Sequence, residues 1–257
     1  MPDMCRELII KQKHQLFIFA AMAQKKLIRF EAIKSFANVL QYPEGMAGNW
    51  KNFFRNENRI CLELGCGKGE YTVQLAKMFP QKNFIGVDLK GNRIYVGAKK
   101  CLEENISNAA FLRTQIDKIN NYFLKDEVEE IWFTFPDPQL RKSRAKKRLT
   151  HPRFLRLYQQ ILSENSLIHL KTDSPDLFEF TLLVIEMYGL KLHMSIDNVH
   201  EQPEIKEELK IKTYYEGLDI AKSRRIHYIC FSVPSTPLPD LDNILQQRIK
   251  ENETAVS

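Results

Sequence analysis

The sequence predicts an α/β protein built on a mostly parallel sheet with helices on both faces. Strand-like apolar runs alternate regularly with helical segments between residues 59 and 188, and a glycine-rich turn joins the first of these strands to its helix. This alternating order favours a parallel sheet that is covered on both faces. Two final strand-like runs without a long helix between them predict an antiparallel pair at one end of the sheet.

Apolar periodicity gives the elements in order. Strands are predicted at residues 60–64, 84–89, 109–112, 131–135 and 167–170, and helices at 70–79, 93–104, 154–162 and 177–188. The antiparallel pair is predicted at 190–196 and 226–233. We interpret residues 1–50 as an N-terminal arm, 51–233 as the main domain and 234–257 as a polar, loosely held tail.

Composition is that of an ordinary globular protein with a modest positive charge. The 257 residues include 38 Lys and Arg against 32 Asp and Glu, a formal charge of +6, so the distribution of the charge matters more than its size. Five cysteines without CxxC spacing and six scattered histidines predict neither a disulfide framework nor a metal site. Cys66 has no neighbouring base that would make it a nucleophile. We expect a cytoplasmic protein, either a monomer or a homodimer.

The first 21 residues contain one short apolar patch, from Leu16 to Ala21, after Lys11 and Lys13. A membrane span needs about 20 apolar residues, so we expect no association with a membrane. Two interpretations of this stretch stay open. One is a signal peptide that ends near Ala23, the other is a misassigned leader before a true start at Met22, and a mature chain that begins at Met1 would contradict both.

Three glycines at alternate positions, Gly65, Gly67 and Gly69, follow the first regular strand and precede its helix. Glycine suits a sharp turn at which a ligand approaches the backbone without a Cβ in the way. The dinucleotide fingerprint GxGxxG would require glycine at position 70, where this chain has Glu70. The pattern ExGxGxG, which begins at Glu63, is instead associated with S-adenosylmethionine sites.

Three carboxylates, Glu63, Asp88 and Asp137, fall at or near the carboxyl ends of predicted strands. Ligands of open α/β sheets bind at this edge. Asp88 stands where an acid can accept hydrogen bonds from both ribose hydroxyls. Taken alone, each acid is explained as well by a capping or surface role as by a role in ligand binding. Because all three lie at the same edge of the sheet, we favour one acidic pocket. Such a pocket complements a positively charged sulfonium group.

A dense basic run follows the strand at 131–135, which ends in Phe135-Pro136-Asp137-Pro138. Six cations lie within eight positions: Arg141, Lys142, Arg144, Lys146, Lys147 and Arg148. A charge run of this kind is either a solvated turn or a surface for a polyanion such as nucleic acid.

Five segments, in this order, resemble the bacterial tRNA (guanine-N7)-methyltransferase family. They are LELGCGKGEY, FIGVDL, the FTFPDP segment with its basic run, LKTD followed by LFE, and TYYE. The resemblance extends from about residue 25 to residue 233. It implies a Rossmann-like class I methyltransferase fold with seven strands, and methyl transfer from S-adenosylmethionine to N7 of a variable-loop guanosine in tRNA. The product would be 7-methylguanosine, and no metal is implied.

The resemblance also implies roles for individual residues. Positions that match cofactor contacts are Glu63, Gly65, Gly67, Gly69, Asp88, Gln115 and Asp137, and Asp137 is taken as the catalytic residue where cofactor and guanine meet. Positions that match substrate contacts are Arg141, Asp173, Thr213, Tyr214, Tyr215 and Glu216. The cations assigned to the tRNA backbone are Arg144, Lys146, Lys147 and Arg148.

The chain departs from the family pattern at three positions. Gln139 and Arg141 stand where tryptophan and lysine are usual, and Gln115 replaces an acid that faces the adenine. An amide oxygen can still accept a hydrogen bond from an exocyclic amine, so the departure at Gln115 does not exclude activity.

Two other functions share these features. A methyltransferase that acts on a protein or an exocyclic amine would have the same fold, but Phe135 to Pro138 do not match the Asn/Asp-Pro-Pro-Tyr pattern of amino-methylating enzymes. A noncatalytic tRNA-binding scaffold would keep the fold without turnover. The intact glycines and Asp88 favour a working cofactor site over such a scaffold.

Overall fold

A computed structural model describes residues 24–213, residue 216 and residues 225–254 of the protein. The strands are β1 Val39–Gln41, β2 Arg59–Leu64, β3 Lys82–Asp88, β4 Ala109–Arg113, β5 Val128–Thr134, β6 Leu162–Thr172, β7 Lys191–Ile196 and β8 His227–Ser232. The helices are α1 at residues 24–32, α2 Trp50–Phe54, α3 Glu70–Met78, α4 Gly91–Glu103, α5 Pro152–Tyr158, α6 Pro175–Met187 and α7 Asp242–Thr254.

The strands form one sheet in the order β1-β4-β3-β2-β5-β6-β8-β7. Strands β1 to β6 pair in parallel, whereas β8 pairs antiparallel with both β6 and β7. From β2 the chain adds β3 and β4 on one side of the sheet, and it then adds β5 and β6 on the other side of β2. The place next to β2 where the direction reverses is the switch point of the sheet. Ligands of such sheets bind at the carboxyl end of this switch point. The predicted parallel sheet with an antiparallel end is confirmed.

Strand β1 makes an eighth strand where seven were expected. Its three residues pair with β4, from Val39 opposite Phe111 to Gln41 opposite Arg113. All three residues of β1 are partly exposed, so this strand shows neither a buried apolar run nor an alternation that periodicity could detect. Strand β6 is also longer than predicted and begins at Leu162. Its first half was not predicted because residues 163–166 are polar and give no apolar run.

The central strands of the sheet are buried on both faces. Along β2, Ile60, Leu62 and Leu64 pack into one apolar cluster with residues of α5 and α6, and Cys61 packs into a second cluster with residues of α3 and α4. Because both faces are covered, residues 60–64 of β2 are all buried, and Glu63 is the one charged residue among them.

The tail beyond residue 233 was expected to be loosely held, but its described part, up to residue 254, contains a packed helix. Helix α7 docks on the body of the protein through Leu245, which is fully buried. Arg156 donates to both carboxylate oxygens of Asp242, at 3.0 and 2.8 Å, and the Tyr188 hydroxyl donates to the same carboxylate at 2.7 Å. The spacing of Leu241, Leu245 and Ile249 was the available signal for a packed helix.

Within the described part of the chain, no helix has both the length and the apolar character needed to cross a bilayer. The two interpretations of residues 1–21 concern a stretch outside the described residues.

Candidate active site

A cavity of about 700 Å³ opens at the carboxyl ends of β2, β3, β5 and β6. We call it the active-site cavity. Residues from all the predicted site segments line it: Glu63, Gly65, Gly67, Asp88, Asp137, Lys147, Asp173 and Thr213. The structure therefore brings together groups that lie up to 150 residues apart in the chain.

The glycine loop, residues 65–69, forms one wall of this cavity. The backbone N–H groups of Gly65 and Cys66 both donate to the carbonyl of Val87, at 2.8 and 3.1 Å, which holds the loop over the end of β3. Gly65 has a φ of +79°, and the nearest atom to a Cβ at this position would be 3.8 Å away, on Leu149. The backbone of the loop is therefore accessible from the cavity.

Gly69 differs in its surroundings from the other two glycines of the loop. It does not line the active-site cavity. It precedes α3 with a left-handed φ of +69°, and a Cβ there would overlap the ring of Phe111 on β4. The third glycine therefore lets α3 pack closely on the sheet, and this packing explains a glycine here without a cofactor contact.

Asp88 ends β3 with its carboxylate fixed at the cavity. One carboxylate oxygen accepts from the N–H of Gly67 at 2.9 Å, and the other accepts from the N–H of Lys90 at 2.8 Å. Each oxygen has a second lone pair that can accept a further hydrogen bond. The backbone thus orients a carboxylate that can receive both hydroxyls of a ribose.

Glu63 lies at the floor of the same cavity, and its side chain is almost fully buried. Its carboxylate accepts from the N–H of Thr72 at 2.8 Å and from the hydroxyls of Thr72 and Thr134. Burial raises the pKa of this carboxyl to about 7, and the three hydrogen bonds oppose that rise. Glu63 therefore joins β2, α3 and β5 beneath the glycine loop.

Asp137 projects from a turn of unusual backbone conformation. Phe135 and Gln139, on either side of it, have left-handed φ angles of +50° and +47°, which non-glycine residues rarely adopt. The Asp137 carboxylate is exposed and accepts from the N–H of Gln139 at 3.0 Å. Strained conformations of this kind are often retained at functional sites.

Arg148 holds this turn from inside the protein. Its guanidinium donates to the carbonyls of Pro138 and Gln139, at 3.0 and 3.4 Å, and lies 4.5 Å from the centre of the Phe180 ring. The residue is only 5% exposed. This burial argues against a contact between Arg148 and the tRNA backbone. Arg144, Lys146 and Lys147 are exposed.

Lys171 is a residue that the sequence interpretation missed. Its side chain is completely buried at the end of β6, and burial lowers its pKa. The ammonium group donates to the carbonyls of Leu209 and Ile211, at 2.9 and 2.8 Å, and to the carboxylate of Glu216 at 3.0 Å. Three donors are thus matched by three acceptors, which anchor the segment that leads to Thr213.

Glu216 was expected to contact the substrate, but it does not line the cavity. Its side chain is 6% exposed and forms an ion pair with Lys171, and its other carboxylate oxygen lies 3.5 Å from Nε2 of His200. The N–H of Glu216 donates to the hydroxyl of Thr213 at 3.2 Å. Glu216 therefore supports the cavity wall from behind.

The remaining predicted residues differ in position. Gln115 is exposed and does not line the cavity, although the next residue, Ile116, does. Arg141 lines a second cavity, against α7. Tyr214 and Tyr215 lie outside the described residues.

One group of metal-ligand types occurs among the described residues, at the opposite edge of the sheet. Ligand atoms of Cys61, Glu129 and Glu130 lie within 4.8 Å of one another. Lys82 already forms an ion pair with one of these acids, because its Nζ lies 2.6 Å from the Glu130 carboxylate, and its positive charge disfavours a metal cation there. Burial raises the pKa of the Cys61 thiol, which disfavours the thiolate that would bind a metal.

Comparison with known proteins identifies the family. A family model described as "Putative methyltransferase" matches residues 57–228. The tRNA (guanine-N(7)-)-methyltransferase of Porphyromonas gingivalis is 46% identical over 213 residues, which span 78% of this chain and 86% of that protein. The protein of the same name from Bacteroides fragilis is 44% identical over 222 residues, with coverage of 83% and 87%.

A solved structure supports the fold class independently. The crystal structure of the 16S rRNA methyltransferase KamB matches with a TM-score of 0.56 and 15% identity, over 73% of this chain and 94% of that chain. This likeness confirms the predicted α/β methyltransferase fold. Together with the sequence matches, it leads to one conclusion: the chain belongs to the tRNA (guanine-N7)-methyltransferase family.

Proposed function

We propose that this protein transfers a methyl group from S-adenosylmethionine to N7 of a variable-loop guanosine in tRNA. The observation that carries the proposal is the meeting of the glycine loop, Asp88, Asp137, Asp173 and Thr213 around one cavity. The 46% identity to a protein named for this reaction supports the same substrate and the same atom of guanine. A cytoplasmic location, where tRNA is modified, follows from this function.

The residues of the cavity fit S-adenosylmethionine. Its volume of about 700 Å³ lies within the ordinary range for pockets that enclose small molecules. Asp88 presents a carboxylate fixed by two backbone N–H groups, which suits a ribose diol. Gly65 leaves the loop backbone open to the cofactor, and the nearby acids complement a cation. When bound, the cofactor supplies a methyl group activated by a positively charged sulfur.

The acceptor atom explains which catalytic groups the protein needs. Guanine N7 carries a free lone pair and is not protonated, so no general base is required. The protein's contribution is then to hold the guanine in line and to stabilise developing charge. Asp137 and Asp173, which line the cavity, would offset the positive charge that the guanine acquires.

The experiment that tests this function uses the purified protein, unmodified tRNA transcripts and methyl-labelled S-adenosylmethionine. After digestion of the RNA, we expect the label in 7-methylguanosine, and no label in a transcript whose variable-loop guanosine is replaced by adenosine. Label in another nucleoside would overturn the specificity. Binding of both cofactor and tRNA without any transfer would favour the noncatalytic scaffold.

The exposed cations of the basic turn, residues 141–148, should contribute to tRNA binding. Replacing Arg144, Lys146 and Lys147 together by glutamine is expected to weaken binding at low salt. Each lost phosphate contact lowers the magnitude of the slope of log affinity against log salt by about 0.7 to 0.9, so the triple variant should lose about 2 to 3 in slope.

The measurement is a salt titration of tRNA affinity, with the unfolding temperature as the control. We expect that temperature to change little, because all three side chains are exposed. A salt slope equal to that of the wild type would show that the RNA backbone is bound elsewhere.

A further inference from the structure

A second cavity, of about 490 Å³, lies between the basic turn and helix α7. Arg141 and Lys146 line the wall formed by the turn, and Gln246 and Lys250 line the wall formed by α7. The side chains of all four residues are exposed. The family-model match ends at residue 228, so α7 lies outside the matched region.

The second cavity is strongly cationic. Arg141, Lys146 and Lys250 contribute three positive charges from two walls, and Lys142 also lines the cavity. Among the described residues that line it, Asp242 is the one acid, and Arg156 and Tyr188 already occupy its carboxylate. His151 also lines the cavity, and burial lowers its pKa to about 4, so the imidazole is neutral at pH 7. An anion would therefore find several donors and little repulsion there.

The wall formed by α7 is held in place. Asp242 fixes the first turn of α7 to Arg156, and Leu245 is fully buried one turn later. The approach to the helix is fixed as well, because Gln159 donates to the carbonyls of Pro234 and Thr236 at 2.6 and 2.8 Å. Lys250 is thus presented from an anchored helix, which lowers the entropic cost of using it to bind a ligand.

The two cavities share a wall. Gln139, Leu140 and Lys147 line the active-site cavity, whereas Arg141 and Lys146, from the same segment, line the second cavity. A polynucleotide that places one base in the active-site cavity would pass this segment with its neighbouring phosphates. Cations of one continuous segment therefore face both cavities, with Lys147 at the first and Arg141 and Lys146 at the second, which suits a polyanion that passes from one cavity to the other.

We propose that the second cavity binds phosphodiester groups of the tRNA beside the nucleotide that is methylated, with Lys250 and Gln246 of α7 as donors. This inference rests on the proposed function, because tRNA is the polyanion it invokes. Helix α7 then belongs to the substrate-binding surface in addition to its packing role.

The test is charge reversal at an exposed position, Lys250→Glu. We expect KM for tRNA to rise about tenfold at low salt and the salt slope of tRNA affinity to fall by about 1. The Kd for S-adenosylmethionine is expected to stay unchanged, because Lys250 does not line the active-site cavity. Lys250→Gln, which removes the charge without reversing it, should give an intermediate effect.

Lys191→Glu is the matched control. Lys191 is exposed and begins β7, the last strand of the sheet, opposite Ser232, and it lines neither of these two cavities. If Lys250→Glu changes tRNA affinity no more than Lys191→Glu does, the second cavity is not an RNA site. Binding of tRNA and methyl transfer are measured separately. A wild-type protein that binds tRNA without methylating it would refute the proposed function, and the comparison of tRNA affinities would still test the second cavity.

Discussion

Replacement of Asp137 by asparagine is expected to lower kcat for methyl transfer by about 100-fold or more, while tRNA binding persists. The carboxylate lines the active-site cavity and is exposed to it. Asparagine keeps the size of the side chain and an oxygen that can accept the Gln139 N–H, so the turn should survive. The variant loses the negative charge that would offset positive charge on the guanine.

Two further variants make the Asp137 result specific. Asp137→Ala removes both the charge and the hydrogen bond from Gln139, so its methyl transfer should be at least as low as that of Asp137→Asn. Asp126→Asn serves as the control, because Asp126 is an exposed acid at the opposite edge of the sheet, with a left-handed φ of +69° that asparagine tolerates. Full activity in either Asp137 variant, measured with labelled cofactor, would refute the catalytic role.

The fold could be predicted because its signals are local. Parallel strands buried on both faces, such as β2 and β5, give apolar runs in the sequence. The carboxyl ends of such strands meet at one edge of the sheet, so the positions of Asp88 and Asp137 in the sequence are enough to place them together. Strand β1 escaped prediction because three partly exposed residues carry no periodic signal.

The individual roles of charged residues were harder to predict, because burial depends on partners distant in the sequence. Arg148 is part of a run of exposed cations, yet its guanidinium is enclosed by Phe180 and the turn that begins at Pro138. Gly69 continues the pattern of glycines that was assigned to the cofactor, but its neighbour is Phe111, 42 residues away in the chain. The sequence pattern identified the basic run and the glycines as two groups. Only the three-dimensional packing showed that Arg148 and Gly69 differ from the other members of their groups.

The same limit applies to Lys171 and Glu216, which lie 45 residues apart and form a buried ion pair. Charges removed from water are costly unless paired, so burial of both side chains means that each depends on the other. Tyr71, which lines the active-site cavity, also donates from its hydroxyl to the carbonyl of Glu208. The wall that contains Thr213 is therefore held from two sides, by β6 and by α3.

Lys171→Met should consequently be among the most damaging single substitutions in this protein. It leaves the Glu216 carboxylate and two carbonyls without their donor, which is expected to lower the free energy of unfolding by about 3 to 5 kcal/mol. We also expect a higher KM for tRNA in the fraction that stays folded, because Thr213 is no longer held at the cavity. Denaturant unfolding and steady-state kinetics measure the two effects.

The double variant Lys171→Met/Glu216→Gln separates positioning from stability. It removes the uncompensated carboxylate, so part of the lost stability should return, while Leu209 and Ile211 still lack the donor that anchors their segment. If Lys171 positions the wall, KM for tRNA stays high in the double variant even as the protein becomes more stable. A KM that returns to the wild-type value together with stability would mean that Lys171 serves the fold alone.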